Sequence, residues 1–312
     1  MTSSLFLNTI NGQIHDKRPL WMMRQAGRYL AEYKAVRASE PDFISFCLNP
    51  EKACEVTLQP INRFAFDAAI IFSDILMVPW ALERNVRFIT GTGPKLDPLE
   101  PSDMVNTALL GEVQKRTAPV GTAIELTRAK LAKEIALIGF AGAPWTVITY
   151  MIEGGSSRDF ALARQWMWSH PKAFEALLEL VTDATVEFLA VQAKAGADAL
   201  MLFDSWASAV PAHMRDAVVI KPARTIVERL RAQGFNQPII GFPKGIGEGL
   251  IAYADASGVD AVAIDHMTDL LWAHKNLPKG MPIQGNLDPL SLISGGELMD
   301  GAIDAILDVI QD

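Results

Sequence analysis

Cysteine is nearly missing from this chain: Cys47 and Cys54 are the only two among 312 residues. Two thiols close together make neither a disulfide framework nor a four-ligand zinc site, so a reducing, cytoplasmic setting is expected. Positive charge is also in deficit, with 28 Lys and Arg against 36 Asp and Glu and a net charge of −8. Without a basic excess to neutralise phosphates, nucleic acid is excluded as a partner. The sequence contains no His-Glu-x-x-His, Gly-x-Gly-x-x-Gly or Gly-x-x-x-x-Gly-Lys-Ser/Thr. Nothing therefore signals a metal, a dinucleotide or a nucleotide. The first residues, Met-Thr-Ser-Ser-Leu-Phe-Leu-Asn, lack the basic region and long apolar segment of a signal peptide. One uncharged run, Ile135 to Ile152, has 18 residues, near the lower limit for a membrane span. It holds Gly139, Gly142, Pro144, Thr146 and Thr149 and has no flanking basic cluster. It reads as a buried strand, a tight loop and the start of a helix, in a protein with no membrane partner. No linker, low-complexity tract or charge block divides the chain, so residues 1–312 read as one domain.

What is present is an abundance of short apolar segments, in a chain that is 50% hydrophobic and only 21% charged. The runs are Pro19–Met23, Ala68–Phe72, Ile135–Phe140, Ala199–Phe203, Pro238–Phe242, Asp260–Ile264 and Met281–Gln284. Each leads into turn or polar residues and then a helical pattern. Apolar on both faces rather than alternating, they read as buried parallel strands. The clearest helix runs from about Ala173 to Ala195, with Phe174, Leu177, Leu178, Val181, Ala184, Phe188 and Val191 on its apolar side. Gly196 stops it and a strand follows at once, which is half of a βαβ unit. Asn85–Thr90 before Gly91-Thr92-Gly93 reads as a hairpin inserted after the second strand. The last helix spans roughly Glu297 to Ile310. The fold class is α/β, a (β/α)8 TIM barrel, but a closed barrel takes eight strands and this chain supplies about seven. An open barrel leaves backbone edges unpaired.

In such a barrel the C-terminal ends of the strands converge on one mouth. Those ends here bear Arg24 and Arg28, Asp74, Tyr150, Ser205, Lys244, Asp265 with His266, and Asn286. The pair of arginines in Arg24-Gln25-Ala26-Gly27-Arg28 is the strongest signal. On a helix they would project to one side, and each guanidinium offers a planar fork that fits a carboxylate. An acidic protein that binds an acidic substrate has to concentrate its cations in this way; two surface arginines on a solvated helix are the alternative. Asp74, at the top of a buried strand, would either stabilise positive charge in a substrate or cap a helix. Tyr150 is either a buried structural tyrosine or a site residue beside a glycine pair, Gly154-Gly155, that could hinge a lid. Ser205 and Asp204 would equally serve as caps. Lys244 permits a Schiff base or a plain surface lysine, and His266 a titrating or a structural histidine.

Read together, several segments resemble one family. They are Pro-Leu-Trp-Met-Met-Arg-Gln-Ala-Gly-Arg-Tyr (19–29), Ile-Ile-Phe-Ser-Asp-Ile-Leu (70–76) and Gly-Phe-Ala-Gly-Ala-Pro-Trp-Thr (139–146). Tyr-Met-Ile-Glu-Gly-Gly (150–155), Phe-Asp-Ser-Trp-Ala (203–207), Gly-Phe-Pro-Lys-Gly (241–245) and Gln-Gly-Asn-Leu-Asp-Pro (284–289) complete the series. In content and order they are similar to the uroporphyrinogen decarboxylases. The resemblance implies a (β/α)8 barrel, a homodimer, and no metal or organic cofactor. The substrate it implies is uroporphyrinogen III, whose four acetate side chains lose carbon dioxide to give coproporphyrinogen III in haem biosynthesis. Carried over by position, Arg24 to Arg28 (with Gln25, Ala26 and Gly27), Asp74, Tyr150 and Ser205 bind substrate. Asp74, Arg24 and Arg28 also carry the catalysis, with Asp74 accepting the pyrrole N–H groups.

The match departs from the family at one place. The family continues into an eighth strand bearing Asn-Leu-Gly-His-Gly, whose histidine lines the pocket, and no such motif precedes Asp312. A truncated C-terminus is the expected reason, and His266 is no substitute. Two other readings stand beside this one. A corrinoid or coenzyme M methyltransferase shares the barrel but binds zinc through a His-x-Cys and a later Cys, whereas both cysteines here precede residue 55. A tetrapyrrole-binding protein without catalysis is the other.

Overall fold

The computed structural model describes residues 4–103 and 106–309. Among the described residues eight strands are formed: β1 (Ala68–Ile70), β2 (Arg87–Ile89), β3 (Gly93–Lys95), β4 (Ala136–Gly142), β5 (Ala199–Asp204), β6 (Ile239–Pro243), β7 (Ala261–Ala263) and β8 (Ile283–Gln284). Six of them make one parallel sheet in the order β1-β4-β5-β6-β7-β8. Helices connect them, the largest being Leu110–Lys130, Pro171–Lys194 and Lys221–Ala232. Chain order follows sheet order throughout, as successive right-handed βα units require. The result is an incomplete (β/α)8 barrel. Antiparallel β2 and β3 form the hairpin expected after the second apolar run, which is β1 here. All residues of β1, β4, β6 and β7 are buried, so the unalternating apolar runs are explained by helices on one face and packed barrel interior on the other.

One device recurs at the start of the strands. Asp198 exchanges two hydrogen bonds with Leu137: its N–H donates to the Leu137 carbonyl (2.7 Å) and its Oδ2 accepts the Leu137 N–H (2.7 Å). Asp260 does the same with Ile239, and Asp67 with Leu20. Each carboxylate also holds a cation: Arg128 on Asp198, Arg231 on Asp260 and Lys17 on Asp67. Each aspartate thus closes the N-terminal end of its neighbour and joins it to a helix or loop. Arg128 further donates to the carbonyls of Leu131, Ala132 and Ile135, so Asp198→Ala strips a hub. That variant is expected to lose about 1–3 kcal/mol of stability, the cost of orphaning partly buried partners. An unchanged urea midpoint would show that the clamp contributes nothing.

The same device corrects the reading of Pro19–Met23. The segment is not laddered as a strand, yet its Leu20 is bound to Asp67 as Leu137 is to Asp198. On its other side Trp21 Nε1 donates to Gln284 Oε1 at 2.8 Å. The run therefore lies between the two edges of the sheet, tied to β1 through the backbone and to β8 only through side chains. Strand character requires a backbone partner on at least one flank for more than a single residue. Leu20 alone has one here.

Close packing explains a glycine and a buried amide. Gln192, wholly buried on Pro171–Lys194, accepts from the Phe140 N–H and donates to the Phe140 carbonyl, both at 2.8 Å. A Cβ at Gly139 would lie 2.7 Å from Gln192 Oε1. That helix begins earlier than its apolar pattern suggests because Pro171 suits a first helical position. Buried side chains from Phe6 to Leu277 form one continuous cluster. The helices Pro289–Ser294 and Gly296–Val309 contribute none to it; Ile310, the expected end of the last helix, lies outside the described residues.

Candidate active site

Asp74 follows β1 at the C-terminal mouth of the sheet. Its Oδ1 accepts the Leu76 N–H at 2.9 Å, an Asx turn that aims the carboxyl rather than a cap on the helix Met77–Ala81. The residue keeps some exposed surface, but its carboxyl is buried. Burial pushes it up to about 6, against the Leu76 N–H and the positive charge of Arg24. The charge of Asp74 is felt in turn by Cys47, a fully buried thiol that burial and that charge push up.

Arg24 and Arg28 do not sit on a helix. Residues 23–30 run through turns and bends, Arg24 has φ +57°, and the following helix starts only at Ala31. The local reason is Gln25, which is 2% exposed and bonds inward: Oε1 accepts from Met22 N–H and Nε2 donates to the Ala68 carbonyl. Sinking that side chain toward β1 turns the flanking arginines out. The Gln25 amide is thereby committed to the fold and not offered to a ligand. Ala26 and Gly27 are partly buried and supply backbone. Both arginines are exposed, and neither forms an ion pair among the described residues, whereas Arg63, Arg87, Arg116, Arg128 and Arg231 all do. The charge of Arg24 is felt by Asp74 and Tyr150, while that of Arg28 is felt by Tyr33.

Tyr150 comes from the helix Pro144–Glu153, which starts one residue after β4. Burial raises its phenol, opposed by the Trp206 indole; the Asp74 charge adds to the rise and Arg24 opposes it. Asp74, Arg24, Tyr150 and Trp206 are therefore one electrostatic neighbourhood. The adjacent glycine pair is no hinge. Leu96 N–H donates to the Gly154 carbonyl, Gly155 bridges to Lys95, and a Cβ at Gly154 would meet Pro98 at 2.6 Å. Gly154 and Gly155 are there so that the strap after β3 can cross closely.

Ser205 follows β5, half-buried, and caps nothing. Its neighbour Asp204 is 3% exposed and takes the Thr146 hydroxyl at 2.6 Å instead of capping. Further round the rim, Asp265 accepts the Gly245 and Met267 N–H groups, and Asn286 Nδ2 donates to the carbonyls of Asp265 and Thr268. These two bind loops together. Lys244 and His266 are exposed, so Lys244 lacks the burial that activates a Schiff-base amine, and His266 is not a core residue. Among the described residues no three His, Cys, Asp or Glu converge as a metal would need. Nor is any helix long and apolar enough to cross a membrane.

With these residues in place, comparison with known proteins is informative. The family model described as Uroporphyrinogen decarboxylase (URO-D) matches residues 1–312. The chain belongs to the uroporphyrinogen decarboxylase family. It is 46% identical to the uroporphyrinogen decarboxylase of Maricaulis maris over 308 residues, covering 99% of this chain and 89% of that protein. It is 48% identical to that of Sphingopyxis alaskensis, covering 96% and 87%, and 45% identical to that of Rhodospirillum rubrum, covering 99% and 89%. Among solved structures, a methyltransferase from Methanosarcina mazei superposes with a TM-score of 0.77 at 17% identity, covering 99% of this chain and 90% of that one. That likeness shows the shared barrel alone. Three residues that reading the sequence did not single out, Thr146, Trp145 and Trp206, bind the rim of this decarboxylase-family mouth together. All three lie inside motifs that carry the resemblance, and only their contacts across the sheet show their use.

Proposed function

We infer that this chain is a uroporphyrinogen decarboxylase, a carboxy-lyase of haem biosynthesis. It removes carbon dioxide from the four acetate side chains of uroporphyrinogen III to leave the methyls of coproporphyrinogen III. The observation that carries the reading onto this molecule is the pairing of a sunken Asp74 carboxyl with unpaired Arg24 and Arg28 at one mouth. An electron-rich ring with an anionic perimeter requires those two things: a negative charge under its centre and cations at its edge.

The chemistry follows from that arrangement. Losing carbon dioxide from an acetate leaves an electron pair that needs a sink, usually a cofactor's. A pyrrole supplies its own once the ring carbon beside the acetate is protonated. The carboxylate carbon–carbon bond then breaks into the cationic ring, carbon dioxide departs, and protonation of the exocyclic carbon with loss of the ring proton restores the pyrrole. Each cycle consumes one proton and turns a carboxymethyl into a methyl. Ionised Asp74 would accept the pyrrole N–H groups and stabilise the cation as it develops. Arg24 and Arg28 would hold acetate or propionate carboxylates, and Tyr150 and Ser205 would orient the ring, with Ala26 and Gly27 offering backbone. The enzyme would work as a single-domain homodimer in the cytoplasm; the continuous buried cluster supports the first of these.

Anaerobic incubation with uroporphyrinogen III, then oxidation and separation by carboxylate number, tests the reading. Products with seven, six, five and four carboxylates are expected. Substrate that binds but returns unchanged would mean a tetrapyrrole-binding protein instead.

A further inference from the structure

Asp204 is a buried carboxyl for which the chemistry above has no use. Burying a charge or polar group is costly unless its partners are well placed, and an apolar pair would fill this space at less cost. Its connections run to the site. Thr146 Oγ1 donates to Asp204 Oδ1 at 2.6 Å, and the same oxygen accepts the Trp206 N–H at 3.1 Å. One residue before Thr146, Trp145 Nε1 donates to the Trp206 carbonyl at 2.8 Å. Three hydrogen bonds thus fix the chain 204–206 to the first turn of the helix Pro144–Glu153. Tyr150 lies one turn further along that helix, and Ser205 lies inside the fixed loop. The Trp206 ring packs on Phe160 (centroids 4.9 Å apart) and on Tyr150 (6.5 Å). Its indole N–H is buried and completes no hydrogen bond with the protein, yet it lies close enough to the Tyr150 hydroxyl to act on it. The Thr146 hydroxyl has its donor and one acceptor role both in use, so it can neither rotate nor be replaced by a methyl without releasing the loop.

We propose that Thr146 and Asp204 are positioning residues of the decarboxylation, setting Ser205 and, through Trp206 and the helix, Tyr150 against the substrate. This rests on the reading of the mouth as a uroporphyrinogen site. Neither residue touches the ring; their effect is geometric. Displacing a binding group by as little as about 1 Å costs up to roughly 10²-fold.

The test compares kcat/KM per folded molecule on uroporphyrinogen III for the whole chain. Thr146→Val keeps shape and removes the hydroxyl, and a loss of about 10- to 100-fold is expected. Thr146→Ser, which retains the hydroxyl, recovers most of it. Thr185→Val serves as the matched control: Thr185 is equally buried on Pro171–Lys194 and bonds only to the Val181 carbonyl. It is expected to lower the melting temperature as Thr146→Val does while leaving kcat/KM unchanged. Should Thr146→Val not fold, Trp206→Phe keeps an aromatic ring on Phe160 and Tyr150 but removes the indole N–H together with part of the ring that packs there, and a several-fold loss is expected. Thr146→Val indistinguishable from Thr185→Val in kcat/KM, or Trp206→Phe with wild-type kcat/KM, overturns the positioning role while wild-type turnover stands. Absence of turnover in the wild type overturns the functional reading, and the positioning role with it.

Discussion

Asp74→Asn is expected to retain the fold and lose catalysis, with kcat lower by about 10²- to 10³-fold, the usual cost of removing one preorganised charge-stabilising group. The amide oxygen of Asn still accepts the Leu76 N–H, so the turn that aims the side chain survives. What disappears is the negative charge under a ring that becomes cationic. The pH profile carries the same argument. Burial pushes the carboxyl up to about 6 despite the Leu76 N–H and Arg24, and only the ionised form stabilises a cation. Wild-type kcat/KM is therefore expected to fall as pH drops through about 6, and any residual activity of Asp74→Asn to lack that limb. Stability runs the other way. A folded-state pKa raised above the usual 3.8 means that the folded protein holds the proton more tightly. The contribution is full below the unfolded pKa and lost as pH rises through about 6. At pH 7.5 the Asn variant is thus expected to melt at or above the wild-type temperature. An Asn variant with an unchanged rate of decarboxylation would remove the charge from the mechanism.

The apolar runs were legible because burial on both faces leaves a mark in composition that no surface element shares: β1, β7 and β8 lie inside runs read from sequence alone, and β4, β5 and β6 overrun theirs by one or two residues at the C-terminal end. Pro19–Met23 carries the same mark without becoming a strand, since pairing depends on which edges lie beside a run and not on the run itself. The residue types of the mouth were equally visible in Arg24, Arg28, Asp74 and Tyr150. Their geometry was not. A helical spacing of the arginines gives way to turns because Gln25 is drawn toward Ala68, a contact distant in sequence. Gly154-Gly155 read as a hinge for a related reason: the strap at Pro94–Pro98 that crosses them leaves no local trace. Thr146 and Asp204 lay inside motifs already noticed, but a hydrogen bond from a helix start after β4 to the end of β5 depends on which strands are neighbours, and that emerges only with the sheet.

Position in the fold also separates the two arginines, which the sequence presents as a matched pair. Arg24→Gln and Arg28→Gln are each expected to lower kcat/KM by about 10- to 100-fold, since a charge-assisted hydrogen bond to a carboxylate is worth roughly 1.5–3 kcal/mol. Both losses should shrink the salt sensitivity of binding, as exposed charges are screened. The pH profiles are expected to differ. The charge of Arg24 lowers the pKa of Asp74, so removing that charge lets the carboxyl rise further and moves the acid limb of kcat/KM to higher pH. Arg28 acts on Tyr33 instead, and its loss should leave the limb where it is. Part of the Arg24→Gln deficit would then be recovered simply by assaying at higher pH, because Asp74 is ionised again there, while the Arg28→Gln deficit would persist. Equal limbs in the two variants would mean that Arg24 serves only the substrate carboxylate. A shift confined to Arg24→Gln would show that one guanidinium both grips the edge of the ring and keeps the carboxylate beneath its centre charged.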